Sequence, residues 1–158
     1  MLDSYLLTNT REPNGMSIAP WSDEYCTDHH VIDTQHQTLF ELVNRIHDAI
    51  IAGESHCSAV RAMLADFEVL AQEHFELEEE LMRTYQYPNY EVHFGMHRRL
   101  CRKVRSALEK YDRDTDAFSH DVPQVLADWM IHHIRGEDRQ TIAFLQSRIK
   151  APATTLKA

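Results

Sequence analysis

Apolar positions recur every three to four residues along four stretches of the chain, a repeat that predicts four amphipathic helices. The first stripe reads His36, Leu39, Val43, Ile46, Ile50, and the second Val60, Leu64, Phe67, Ala71, His74, Glu78, Leu81, Tyr85. The third is Tyr90, His93, His97, Leu100, Val104, and the fourth Val122, Leu126, Trp129, His133. Every stripe turns at least one histidine inward, and the second adds a glutamate. A buried ionisable group needs a partner, so histidines and a carboxylate converging in one core point to bound metal.

Turn signals place the boundaries. Asp33 is the expected N-cap of the first helix, which should stop at Gly53. Ser55 or Ser58 starts the second, and Tyr87-Pro88-Asn89 breaks it after Tyr85. The third runs from Tyr90 to about Tyr111, a polar connection covers Asp112 to Asp121, and the fourth begins near Pro123, a residue tolerated in a first turn. Long helices with short links favour an all-α, up-down-up-down four-helix bundle. Residues 1–20 read as an irregular N-terminal arm or linker, followed by Trp21 packing on the bundle; 21–146 form the domain and 147–158 a C-terminal tail. No internal repeat or low-complexity tract is visible.

Composition agrees with one helical domain. The chain has 158 residues, 43% of them apolar, with only 4 glycines and 5 prolines, too few for a turn-rich sheet protein. A formal charge of -9 argues against nucleic acid and anionic membranes, which select basic faces. Cys26, Cys57 and Cys101 form no CxxC pair and read as free thiols of a reducing compartment. With no secretory signal and no membrane-spanning stretch in the sequence, the expected location is the cytoplasm, without membrane insertion.

Spacing sharpens the metal reading. Residues four apart on a helix are only about 40° out of register, so His74/Glu78 and His93/His97 can each serve one site. His133 and Asp138 are five apart, about 140° on an unbroken helix, and a break at Gly136 would let Asp138 swing back. Without it Asp138 is a surface carboxylate. His133 continues the Trp129 face, whereas His132 is turned from it by about 100°, so His133 is the inward residue. His29, His30, His47, His56, His120 and His132 share no such pattern and read as solvated or locally bonded. A bundle with hydrogen-bonded core histidines and no metal is the competing interpretation, but so many desolvated imidazoles in one layer would be destabilising.

Four separated segments, IDTQH ending at His36, HFELEEELM from His74, YPNYEVHFGMH through His97 and WMIHHIRGED from Trp129 to Asp138, appear in an order that resembles the hemerythrin family, in particular its single-domain bacterial members. The resemblance covers Trp21 to Phe144 and keeps the HxxxE, HxxxH and HxxxxD spacings. It implies a bundle holding two iron ions as a non-haem di-iron centre with an oxo or hydroxo bridge, which binds dioxygen. Carried over by position, His93, His97 and His133 ligate one iron, His36 and His74 the other, and Glu78 and Asp138 bridge them. The iron with two histidines is then one donor short, so dioxygen is expected on the His36/His74 side. Leu39, Trp129 and Met130 are the expected apolar lining there.

Departures from the family pattern are few. Met130 stands where leucine is common, and Arg135 stands where an apolar residue would help seal the pocket; pointing inward it would admit water. MSIAPW from Met16 resembles a family start, which leaves residues 1–15 as an upstream linker or a matter of start-site choice. The expected function is dioxygen carriage, storage or delivery without enzymatic turnover. The runner-up is an oxygen or redox sensor acting on a signalling partner; neither that partner nor an oxygen-consuming one can be named from sequence. A di-iron oxidase, peroxidase or nitric-oxide-handling enzyme ranks lower, because five histidines and two carboxylates make a more nitrogen-rich shell than the ExxH sets of bundle oxidases. Zinc also suits imidazole donors.

Overall fold

The structure, a computed structural model, describes residues 17–55, 57–114 and 120–150. Most of the expected arm, His56, the middle of the third connection and the end of the tail lie outside the described residues. Four long helical runs form an all-α bundle: α1 His30–Ile51, α2 Ser58–Thr84, α3 Tyr90–Arg113, and a last run made of α4 Val122–His133, a π-helical turn Ile134–Asp138 and α5 Arg139–Lys150. The short connections turn each run back antiparallel to the one before. α1 packs against α2 and α4, and α2 also against α3.

The helix ends show why these boundaries hold. α1 begins before the expected Asp33 cap: His29 is the N-cap, and its Nδ1 accepts the Ile32 N–H at 3.4 Å. Asp33 instead sits in the first turn and accepts from both the N–H and the hydroxyl of Thr27, each at 2.8 Å. Its carboxylate thus serves the chain upstream of the helix, as the reciprocal arm of a capping box does. At the other end Gly53 takes φ +82°, while the N–H groups of Gly53 and Glu54 close back on Ile50 and Ala49. That left-handed stop suits a residue without Cβ. Pro123 lies in the first turn of α4, where no N–H is needed.

The arm is tied down where it is described. Ala19 exchanges two hydrogen bonds with the Asn44 side chain, at 3.0 and 2.8 Å, and Trp21 meets Phe40 edge-on with ring centres 5.5 Å apart. The expected packing of Trp21 is therefore observed. On α2 the buried stripe drifts: Met82 is buried, and Leu81 and Tyr85 are only half-buried, because a 3.6-residue repeat precesses around a long straight helix.

The core falls into two unequal apolar clusters. The larger includes Leu39, Val43, Phe67, Leu100, Val104 and Leu126; the smaller joins Ile32, Ile142 and Leu145 with Leu77, Leu81 and Phe144 around it. The polar inward residues of α1 and α2 fall between them: His36 follows Ile32 and precedes Leu39, and Glu78 lies between Ala71 and Leu81.

Candidate metal centre

All seven residues expected to ligate metal come together in this layer. His36, His74, Glu78, His93, His97, His133 and Asp138 are each 3% exposed or less. They form two groups, Glu78/His93/His97/His133/Asp138 and His36/His74/Glu78/Asp138, with donor atoms in each within 4.8 Å of one another. Both carboxylates belong to both groups.

The last helix delivers Asp138 by a route the sequence did not suggest. There is no break at Gly136; the helix widens into one π-helical turn over Ile134–Asp138 and continues as α5. A π turn accommodates one extra residue, so positions five apart return to the same face. His133 and Asp138 consequently meet, Nε2 to Oδ1, at 3.0 Å. Gly136 is not needed to relieve crowding, since a Cβ there would touch nothing within 4 Å. His132 faces outward and donates Nδ1–H to the Asp128 carbonyl at 2.6 Å. Arg135 also points out, onto Glu24 at 2.9 Å, so the feared inward arginine is not found.

Donor distances are those of ligands sharing an ion. The Nε2 atoms of His36 and His74 lie 3.2 Å apart, and those of His93 and His133 3.0 Å. Two imidazole nitrogens bound to one first-row ion at about 2.1 Å and at right angles sit roughly 3 Å apart. Both oxygens of Glu78, both of Asp138 and His97 Nε2 are buried without a hydrogen-bond partner. Their close neighbours are imidazole nitrogens, at 3.0 Å for Asp138 Oδ1 and 3.2 Å for Asp138 Oδ2 and Glu78 Oε2, and so many donor atoms converging in one buried layer mark the place of cations. The donor set, imidazoles and carboxylates together, suits iron.

The electrostatics agree. Burial holds His74 at about 4 and His97 at about 3, so both are neutral at pH 7, the form that binds metal. Burial and the Asp138 charge push the Glu78 carboxyl up, as expected of two acids sharing a site without a cation. Burial also opposes ionisation of Asp138, but His133 and then the other imidazoles outweigh it and hold the group well below the usual carboxylate range. His93 goes up despite its burial, because Asp138 and Glu78 face it.

Outer contacts fix the rings. His74 Nδ1–H donates to Gln35 Oε1 at 3.0 Å and His97 Nδ1–H to Glu79 Oε1 at 3.1 Å, while His93 Nδ1 meets Thr141 Oγ1 at 2.9 Å. Phe75 stacks on His97 with centres 3.9 Å apart, and Trp129 on His133 at 4.2 Å. Reading the stripes did not pick out Gln35, Glu79, Thr141 or Phe75. Three of them adjoin a ligand candidate in sequence, which turns the side chain about 100° toward a neighbouring helix, but adjacency alone does not say which ring it reaches.

Beside His36 and His74 a small cavity of about 10 Å³, room for one water-sized molecule, is lined by Leu39, Trp129 and Met130 together with Phe67, Ala71 and Phe75. The three residues expected at an apolar lining all border it. Among the described residues no helix is long and apolar enough to cross a membrane.

The family model of the hemerythrin HHE cation binding domain matches residues 27–145. A bacteriohemerythrin of Stenotrophomonas maltophilia is 28% identical over 124 residues, 78% of this chain and 79% of its own; one of Methylococcus capsulatus is 27% identical over 126 residues, 78% and 94%. A crystal structure of a hemerythrin variant superposes with a TM-score of 0.75 at 25% identity, covering 82% of this chain and 98% of that one.

Proposed function

The chain belongs to the hemerythrin family, and on that footing we propose that it binds dioxygen reversibly at a non-haem di-iron centre held by His36, His74, Glu78, His93, His97, His133 and Asp138. The observation that carries the reading is the division of Asp138. Its Oδ1 lies 3.1 Å from His93 and 3.0 Å from His133, whereas Oδ2 lies 3.2 Å from His36. A carboxylate whose two oxygens serve two donor sets is what a bridge between two ions requires. Glu78 reaches both donor sets through one oxygen, Oε2, which lies 3.2 Å from His97 and 3.5 Å from His74.

In this reading His93, His97 and His133 serve one iron and His36 and His74 the other. Both carboxylates being shared, the two-histidine half would have one donor fewer and would leave room for an outside ligand. When bound, the iron pair supplies the electrons for reversible oxygen uptake. The chain's own part is to present neutral imidazoles in fixed orientation and to keep water away from the His36/His74 side. Leu39, Trp129 and Met130 do the second, by surrounding the cavity with apolar surface. Among the described residues the ionisable groups bordering that cavity are all members of the ligand set, and none is a separate acid or base for substrate turnover. This favours binding over enzymatic chemistry.

Metal analysis of the purified protein, with optical spectra recorded as the reduced form is exposed to oxygen and then purged, tests the reading. Two irons per chain and an oxygen-dependent band that purging reverses are expected. Zinc in both positions, a single metal per chain, or a band that never reverses would overturn it.

A further inference from the structure

The imidazoles of the centre are not backed alike. His74 hands its outer N–H to a neutral amide oxygen, Gln35, at 3.0 Å, and His93 meets a neutral hydroxyl, Thr141, at 2.9 Å. His36 Nδ1 is buried with no partner, and the Glu137 carboxylate stands 3.8 Å from His133 Nδ1, beyond hydrogen-bond reach. His97 alone donates to a carboxylate, Glu79 Oε1 at 3.1 Å. That carboxylate is largely buried, its side chain 13% exposed, and among the described residues no lysine or arginine nitrogen lies within 4 Å of it. Phe75, stacked at 3.9 Å on the His97 ring, holds the ring in the plane that makes this bond.

A carboxylate that accepts the outer N–H of a metal-bound imidazole makes the inner nitrogen a stronger donor and favours the more positive state of the metal. The neutral amide behind His74 does neither. Resting on the proposed di-iron reading, we infer that Glu79 is a positioning residue that sets the oxidation–reduction balance of the centre through His97, biasing the three-histidine half toward the oxidised state. The step concerned is a single electron passing between the iron on the His97 side and an added mediator, with no bond made or broken at Glu79.

The test is a spectroelectrochemical titration of the iron-loaded protein with redox mediators. Glu79→Gln keeps an oxygen able to accept from His97 Nδ1–H and removes only the charge. It should retain iron and lower the ferric-to-ferrous ratio at fixed potential by about tenfold, a rise of about 59 mV for a one-electron couple. Gln35→Glu, which puts a carboxylate behind His74, should shift the balance the opposite way. Glu76→Gln removes a charge from the same α2–α3 groove without touching His97 and should leave the midpoint in place. A Glu79→Gln protein that holds its iron with an unmoved midpoint overturns the inference, as does an equal shift from Glu76→Gln. If Glu79→Gln loses iron, Gln35→Glu decides: a lowered midpoint supports the inference and an unchanged one defeats it. Wild-type protein without redox-active iron would defeat the functional reading itself, whereas iron-bearing wild type with unmoved variants defeats only the role of Glu79.

Discussion

At the scale of single residues, what separates a ligand candidate from its neighbours is the direction in which its helix turns it. His132 and His133 are adjacent, yet one bonds an exposed turn and the other lies 3% exposed among carboxylates. His132→Ala should therefore keep the full iron content, while His133→Ala should lose at least half of it, both read by metal analysis. Glu78 belongs to both donor groups, so Glu78→Ala should cost iron from both, giving fewer than one iron per chain where loss of a single half would leave one. In the proposed reading the lining side chains act on water instead of on metal. Leu39→Ala and Trp129→Phe should speed the decay of reversible oxygen binding several-fold, measured over repeated cycles, while Val104→Ala in the larger apolar cluster should not. Faster decay in the Val104 variant than in both others, at equal iron content and stability, would place the oxygen site elsewhere.

At the scale of elements, the π turn carries the most consequence. It lets one uninterrupted helical run present His133 and Asp138 to the same layer and still bury Thr141 and Ile142 one turn later. The glycine inside it is incidental. Gly136→Ala should preserve iron and stabilise the fold by up to about 1 kcal/mol in chemical denaturation, since alanine suits a helix interior better and the space is open. Gly53→Ala should cost about 1 kcal/mol, although the space there is equally open, because its φ of +82° is unfavourable for any residue with a Cβ. An alanine inserted after Gly136 tests the turn itself. It would swing Asp138 and Ile142 about 100° off the core face, and the variant should bind little iron.

At the scale of the whole molecule, a layer of buried imidazoles and carboxylates separates two apolar clusters. Each cluster is buried and apolar, but the layer between them has acceptors without a hydrogen-bond partner and two acids whose charges oppose each other. Cations there offset a penalty that otherwise falls on the fold. Stripping the metal with a chelator under reducing conditions should lower stability by about 3–5 kcal/mol, on the order of 10 °C in thermal midpoint. Scanning calorimetry before and after reloading checks this. An unchanged midpoint would mean that the layer is satisfied without metal.

Four helices, their approximate ends and the inward histidines were legible in the sequence, because helical periodicity is local: His74 and Glu78, or His93 and His97, share a face whatever surrounds them. The family resemblance was legible for the same reason, since its motifs are short and lie within single helices. Other features depend on contacts between elements. The cap of α1 shifted because Asp33 answers Thr27 outside the helix, and Arg135 left the pocket because Glu24 was within reach. Asp138 could be read as a ligand or a surface carboxylate until the π turn placed it, and the pairing of Glu79 with His97 joins residues on different helices. Local periodicity says which face a side chain takes; only the packing of one helix against another says which atom it meets there.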